Sequence, residues 1–187
     1  YLDIYYLNKV DSSLVSPSGI NTDYHESDFS INKYNGSIYY TSSKPDEDLF
    51  LKKNEVINTK IYQALLDNEK IIKTIILPFN SNQYSCRNPF LDYDNKRLYF
   101  SSNKPGGVGG YDIYYVHLDS PEVMINVKEI NTINDEDSFF IDNKKNIYFS
   151  SNGYVGFGGK DVFTKIFDET SGEYKRVMNV GLPVNSQ

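Results

Sequence analysis

The chain has 187 residues, 39% apolar and 15% aromatic, with 17 Tyr, 11 Phe and no Trp, enough large side chain for a sizeable core with a lean towards β structure. Lys and Arg total 19 against 25 Asp and Glu, a formal charge of −6 with a pI near 4.9. No basic stripe for a phosphate backbone is present, so nucleic acid is not an expected partner.

The first element, Tyr1-Leu-Asp-Ile-Tyr-Tyr6, reads as a third strand with no first or second strand before it, and residues 1–20 form a partial unit. Residues 21–76 follow as a full unit. A lead-in loop carries Tyr24 and His25, an Asn35-Gly36 turn comes next, and the strand Ile38-Tyr-Tyr-Thr-Ser42 follows it. The loop Lys44-Pro-Asp-Glu-Asp48 leads to Asp48-Leu-Phe-Leu, expected to be the next strand. Residues Glu55 to Lys70 fit either a short helical turn or an elongated hairpin.

The unit 77–129 opens on Leu77-Pro-Phe-Asn-Ser81, with Tyr84 and Cys86 in its lead-in loop. An inner strand through Phe90-Leu91, a turn at Asp94-Asn95 and the strand Leu98-Tyr-Phe-Ser-Ser102 follow. The loop Gly106-Gly-Val-Gly-Gly110 then feeds Asp112-Ile-Tyr-Tyr, and Val123 to Ile130 closes the unit. The unit 130–181 repeats the order. It has a looser lead-in, Ile130-Asn-Thr-Ile-Asn134, an inner strand Phe139–Ile141, Ile147-Tyr-Phe-Ser-Ser151, Gly153-Tyr-Val-Gly-Phe-Gly-Gly159, Asp161-Val-Phe-Thr and an outer strand over Tyr174–Val180. Residues 182–187 begin another lead-in, Leu182-Pro-Val-Asn-Ser186.

The spacing makes this a repeat. Asp3 to Ile38 and Asp112 to Ile147 are each 35 residues apart, and Asp48 to Leu98 is 50. Four short antiparallel strands recurring every ~40–50 residues are the signature of a β-propeller blade. In Ile38-Tyr-Tyr and Leu98-Tyr-Phe consecutive side chains are all large, and consecutive strand residues point to opposite faces. Both faces of such a sheet therefore want burial, which blades stacked about an axis supply. The expectation is an all-β propeller fragment of about three blades, a partial ring.

These residues resemble the bacterial WD-repeat-like propeller repeats of TolB-like proteins and of Bacteroidota envelope proteins carrying an OmpA-like domain. The matching stretches are Asn88-Pro-Phe-Leu-Asp92, Leu98-Tyr-Phe-Ser-Ser-Asn103, Gly106 to Tyr114 and Gly156 to Phe163. The Gly-x-Gly-Gly-x-Asp form followed by Leu-Pro-Val-Asn-Ser is similar to the envelope branch, which includes peptidoglycan-associated parts of type IX secretion and gliding machinery. The resemblance implies a periplasmic or outer-membrane setting, envelope proteins and further blades as partners, and a scaffold role. A carbohydrate- or peptide-binding propeller and, after it, a hydrolase are the alternatives. Eukaryotic WD repeats are disfavoured because there is no Trp.

The glycine loops precede strands, so they read as tight hairpin loops and not as phosphate cradles, which need a helix N-terminus. Asp112 and Asp161, with Gly109, Gly110, Gly158 and Gly159, are expected to be structural there. Asp46-Glu47-Asp48 and Asp135-Glu136-Asp137 read as solvated loop charge. His25, His117 and Cys86 have no partner at catalytic spacing, and Cys86 is expected as a partly buried thiol in a loop. Because it is the only cysteine, no internal disulfide can form. No catalytic site, metal or cofactor is expected. The longest apolar stretch, Ile71 to Phe79, is broken by Lys73 and Pro78 and falls short of the ~20 residues of a membrane helix. Val108, Tyr154 and Phe157, with Tyr84 and Tyr24, are the candidate partner-binding residues, on a rim where lead-in loops and glycine loops meet. Whether Val108, Tyr154, Val155 and Phe157 face solvent or fold back over the blade edge is open in the sequence.

Overall fold

A computed structural model describes residues 2–7, 12–16, 19–45, 57–67 and 70–186. The described chain is all-β, with no helix and hence none long and apolar enough to cross a membrane. After the small pair β1 (Tyr6–Leu7) and β2 (Leu14–Val15), three four-stranded antiparallel sheets follow in chain order. The first contains β3 (Glu26–Ile31), β4 (Ile38–Ser42), β5 (Lys60–Asp67) and β6 (Lys70–Ile76). The second contains β7 (Cys86–Asp92), β8 (Arg97–Ser102), β9 (Asp112–His117) and β10 (Ser120–Asn126). The third contains β11 (Glu136–Ile141), β12 (Ile147–Ser151), β13 (Asp161–Lys165) and β16 (Met178–Asn179), with a side hairpin of β14 (Phe167–Asp168) and β15 (Glu173–Tyr174).

The strands Leu98–Ser102 and Ile147–Ser151 pair with the Asp-Ile-Tyr type strands that follow them, through Ser102↔Asp112 and Ser151↔Asp161. In the first sheet the corresponding pair is Ser42↔Lys60, so β5 holds the place expected of Asp48-Leu-Phe-Leu. Asp48 and its neighbours, including the Asp46-Glu47-Asp48 cluster, lie outside the described residues. Of the open choice over Glu55–Lys70, the described part is strand and not helix: Lys60–Asp67 pairs with β4 on one side and with β6 on the other. The expected single outer strand over Tyr174–Val180 is instead split. The Asp168 carboxylate accepts the Thr170 and Ser171 N–H groups, which holds it below the usual carboxylate range. With Gly172 at φ 72, this turn builds its own hairpin, and only Met178–Asn179 reaches β13.

The middle sheet is buried on both faces. Leu98, Phe100, Tyr114 and Val116 pack with Tyr39 and Ile61 of the first sheet and with Leu77 and Phe79 of the lead-in between the two sheets. From the opposite face, Tyr99 and Ile113 pack with Phe139, Phe149 and Phe163 of the third and with Ile130 of the lead-in before it. Phe79 stacks on Phe100 at 4.3 Å and Tyr99 on Phe139 at 4.2 Å. Each such ring contributes about 1.5–3 kcal/mol through burial, with ~0.5–1.5 kcal/mol more from the pair geometry. This is the physical reason the Leu-Tyr-Phe run does not alternate with polar residues.

A side-chain clamp recurs with the sheets. Asn21, Asn80, Asn131 and Asn185 each accept the N–H and donate to the C=O of one residue: Ile4, and the strand residues Ile61, Ile113 and Val162. The residue before each Asn in the first three copies is fully buried: Ile20, Phe79 and Ile130. Geometry therefore aligns Asn131 with Asn80 and Asn185, which moves the expected lead-in copy at Ile130–Asn134 by two residues. The sheets are also stitched in sequence by backbone. Glu26, Cys86 and Glu136 donate their N–H to the carbonyls of Leu2, Thr59 and Tyr111 at 2.7–2.9 Å.

Candidate functional site

The glycine loops are built around their aspartates. Asp112 is 1% exposed and accepts the N–H groups of Val108 (2.5 Å) and Gly109 (3.0 Å) and the Asn126 amide (2.9 Å). Asp161 takes the Phe157 N–H and the Asn179 amide in the same way. A Cβ at Gly107 or Gly156 would enter the carboxylate that its loop wraps, so these two glycines, outside the structural set expected from the sequence, are the ones the pinning requires. Gly109 has a different reason to be small, since its Cβ would strike the backbone of Thr132, Ile133 and Asn134. A Cβ at Gly110 would meet the Asp135 carboxylate, and one at Gly158 would come within 3.2 Å of the Ser186 carbonyl. Gly159 is open on that side.

These contacts bring loops of neighbouring sheets together on one edge. Gly110 N–H donates to the Asn134 carbonyl at 2.9 Å, and Tyr111 N–H to the Asp135 carboxylate at 2.8 Å. From the other side, Gly153 lies against the Thr132 side chain. Both glycine loops therefore flank the segment Thr132–Asn134. Four apolar side chains on these segments face solvent: Val155 at 97% exposure, Ile133 at 82%, Phe157 at 48% and Val108 at 41%. Ile133 was not singled out from sequence. Its only signal is an apolar residue among Thr, Asn and Asp in a lead-in loop.

The tyrosines divide differently. Tyr154 folds back, with its hydroxyl donating to the Ile130 carbonyl at 3.0 Å and its ring against Phe149 and Phe163. Tyr84 does the same with the Phe79 carbonyl at 2.8 Å. Tyr24 is half-buried, its N–H held by the Thr22 hydroxyl.

The acidic run Asp135-Glu136-Asp137 is not solvated charge. Glu136 is 0% exposed and accepts from the Thr132 N–H, the Thr132 hydroxyl and the Ser151 hydroxyl. Glu26 makes the same set with Thr22 and Ser42. Asp137 receives a two-pronged Arg87 pair at 2.8 and 3.1 Å and also the Lys160 ammonium. Arg87 lies 3.6 Å over the Tyr111 ring, and although burial opposes its charge, Asp137 holds it above its ordinary pKa. The lead-in loop forms by satisfying backbone groups, and carboxylates are the acceptors able to take several donors at once.

Cys86 stands at the strand position that Glu26 and Glu136 occupy in the other sheets. It is fully buried rather than partly buried in a loop, because β7 already begins at Cys86. Burial pushes its thiol up to about 12. His25 is exposed and accepts the Leu2 N–H through Nδ1 at 2.9 Å, while His117 packs edge-on to Tyr115. Among the described residues no group of three His, Cys, Asp or Glu side chains is placed to hold a metal.

A second concave region runs along the first strands of the three sheets. Each carries a bulge with a residue in the left-handed region: Asp28 (φ 39), Asn88 (φ 55) and Ser138 (φ 55). A cavity of about 250 Å³ lies at the bulges and one of about 420 Å³ at the turns beyond them, with Phe90 in both. Phe29 and Phe140 are half-exposed there, and Phe90 sits edge-on to Phe140 at 5.2 Å. No protein-family model matches the chain, and a search of curated proteins found no similar sequence.

Proposed function

We propose that the three sheets are consecutive blades of a β-propeller and that the chain is a non-catalytic protein–protein interaction scaffold. Its binding surface is the glycine-loop edge. The observation that carries this reading is the exposure of Val155, Ile133, Phe157 and Val108 on two loops and the segment between them. The loops owe their shape to backbone N–H groups on Asp112 and Asp161, so the hairpins do not need these apolar side chains for their own geometry. Contiguous exposed apolar groups on rigid loops mark interaction surfaces. The fixed backbone also lowers the ordering cost of binding. A bacterial envelope setting, with other envelope proteins as partners in a secretion, gliding or peptidoglycan-associated assembly, is supported by the motif resemblance alone.

The test is Phe157→Ala and Val108→Asp, assayed by titration against a partner isolated on the wild-type chain. An aromatic anchor truncated in a desolvated contact costs ~2 kcal/mol or more, roughly thirtyfold in affinity, and the buried charge at 108 costs more. Thermal stability stays within about 0.5 kcal/mol of the parent, as for surface substitutions generally. Unchanged affinity in both variants refutes the reading. A carbohydrate or peptide ligand is the second reading, favoured by the cavities beside Phe29, Phe90 and Phe140. Binding lost in Phe29→Ala and Phe140→Ala, with the rim variants unaffected, selects it.

A further inference from the structure

The outward face of the third sheet repeats the surface that the first two sheets present to their successors. At the second strand, Tyr39 and Tyr99 are 5% and 6% exposed under the next sheet, and Tyr148 stands in the same register. At the third strand, Ile61 and Ile113 are both fully buried, and Val162 corresponds to them as the residue clamped by Asn185. Before the clamp, Ile20, Phe79 and Ile130 are 0%, 3% and 1% exposed, whereas Val184 is 59% exposed.

The backbone repeats as well. Leu2, Thr59 and Tyr111 each give an N–H to a side chain of the next lead-in loop, respectively His25, Ser85 and Asp135. Each also takes an N–H on its carbonyl from the residue after that side chain. Lys160 is the fourth member of this series, directly before Asp161. Among the described residues no hydrogen bond of either kind reaches it.

We infer that this face is a docking surface for one further four-stranded unit of the same repeat, entered in line from the lead-in Leu182–Ser186. The occupant is specified by the three interfaces already present. It carries an acceptor side chain and then a residue whose N–H closes on the Lys160 carbonyl, five or six residues beyond Asn185. It also presents an apolar ring to Val184, Val162 and Tyr148, as Phe100 and Phe149 do for the two earlier faces. The inference rests on the repeat reading of the sheets and not on the binding edge, so rim variants that lose a partner leave it untouched.

Val184→Cys provides the readout, since the native thiol of Cys86 is buried and protonated at neutral pH. The variant is made in the 187-residue chain and in a chain extended after Gln187 by a second copy of residues 134–179, which places a glutamate five residues beyond Asn185. A shuffled extension of the same composition is the control. Labelling of the introduced thiol by a maleimide is expected to be at least tenfold slower in the extended chain than in the other two. Amide exchange at Lys160–Val162 is expected to slow with it. Equal labelling in all three overturns the inference, because a unit of this repeat then finds no complementary surface. Protection already present in the 187-residue chain, with a dimer mass by light scattering, assigns the face to a second copy and overturns it equally.

Discussion

Removing one clamp side chain, Asn131→Ala, isolates the device that recurs between the sheets. Asn131 Oδ1 accepts the Ile113 N–H at 2.8 Å, and its Nδ2 donates to the Ile113 carbonyl at 2.9 Å and to Asn126 Oδ1 at 3.0 Å. The Ile113 carbonyl keeps a second donor, the Val127 N–H at 3.0 Å, so the carbonyl is not orphaned. The Ile113 N–H is, at a residue with no exposed surface. An unmet buried donor costs about 1–3 kcal/mol, and each lost neutral hydrogen bond about 0.5–1.5 kcal/mol. The expected loss is therefore ~2–4 kcal/mol, roughly 5–15 °C in Tm for a chain of this size. Urea unfolding followed by tyrosine fluorescence measures it, with the exposed turn residue Asn143→Ala as a control that moves less than about 0.5 kcal/mol. A loss under 1 kcal/mol in Asn131→Ala would refute the clamp as a stabilising element. Asn80→Ala, with the same bonds to Ile61, should fall in the same range.

Asp161→Ala removes the acceptor of the Phe157 N–H and the Asn179 amide, and should cost ~1–2 kcal/mol by chemical denaturation. A change below 0.3 kcal/mol would show that the glycine loop holds itself. Native Cys86 should resist a thiol reagent at pH 8 and react only as the chain unfolds; rapid native labelling contradicts its burial. Burial raises the Tyr40 hydroxyl from 10.0, and the Cys86 thiol from 9.0, each to about 12, favouring their neutral forms in the fold. Their contribution is whole below about pH 9 and is lost as pH climbs from the unfolded values towards 12, so the midpoint of urea unfolding should drop across that window. A flat midpoint to pH 12 would contradict the sign.

The repeat, the strands at Ile38–Ser42, Leu98–Ser102 and Ile147–Ser151, and the burial of both faces of the middle sheet were legible in the residues. Unbroken apolar triplets on short strands admit few other packings. The turn role of Asp112 and Asp161 was legible for the same kind of reason, since an aspartate after glycines has nearby N–H groups to accept. Tertiary structure decided what depends on contacts between units. Thr22 and Glu26, or Thr132 and Glu136, look like loop polarity in one dimension, yet in three they close a buried network. Asp48 offered a better match to Asp112 than Lys60 does, but pairing with both β4 and β6 selected the strand that Lys60 begins. Val108, Val155 and Phe157 differ from Tyr154 by nothing in the sequence that fixes exposure. Tyr154 has a hydroxyl that reaches the Ile130 carbonyl and a ring that fits between Phe149 and Phe163, so it folds inward. The other three have no such anchor, and the carboxylate-pinned backbone leaves them in solvent.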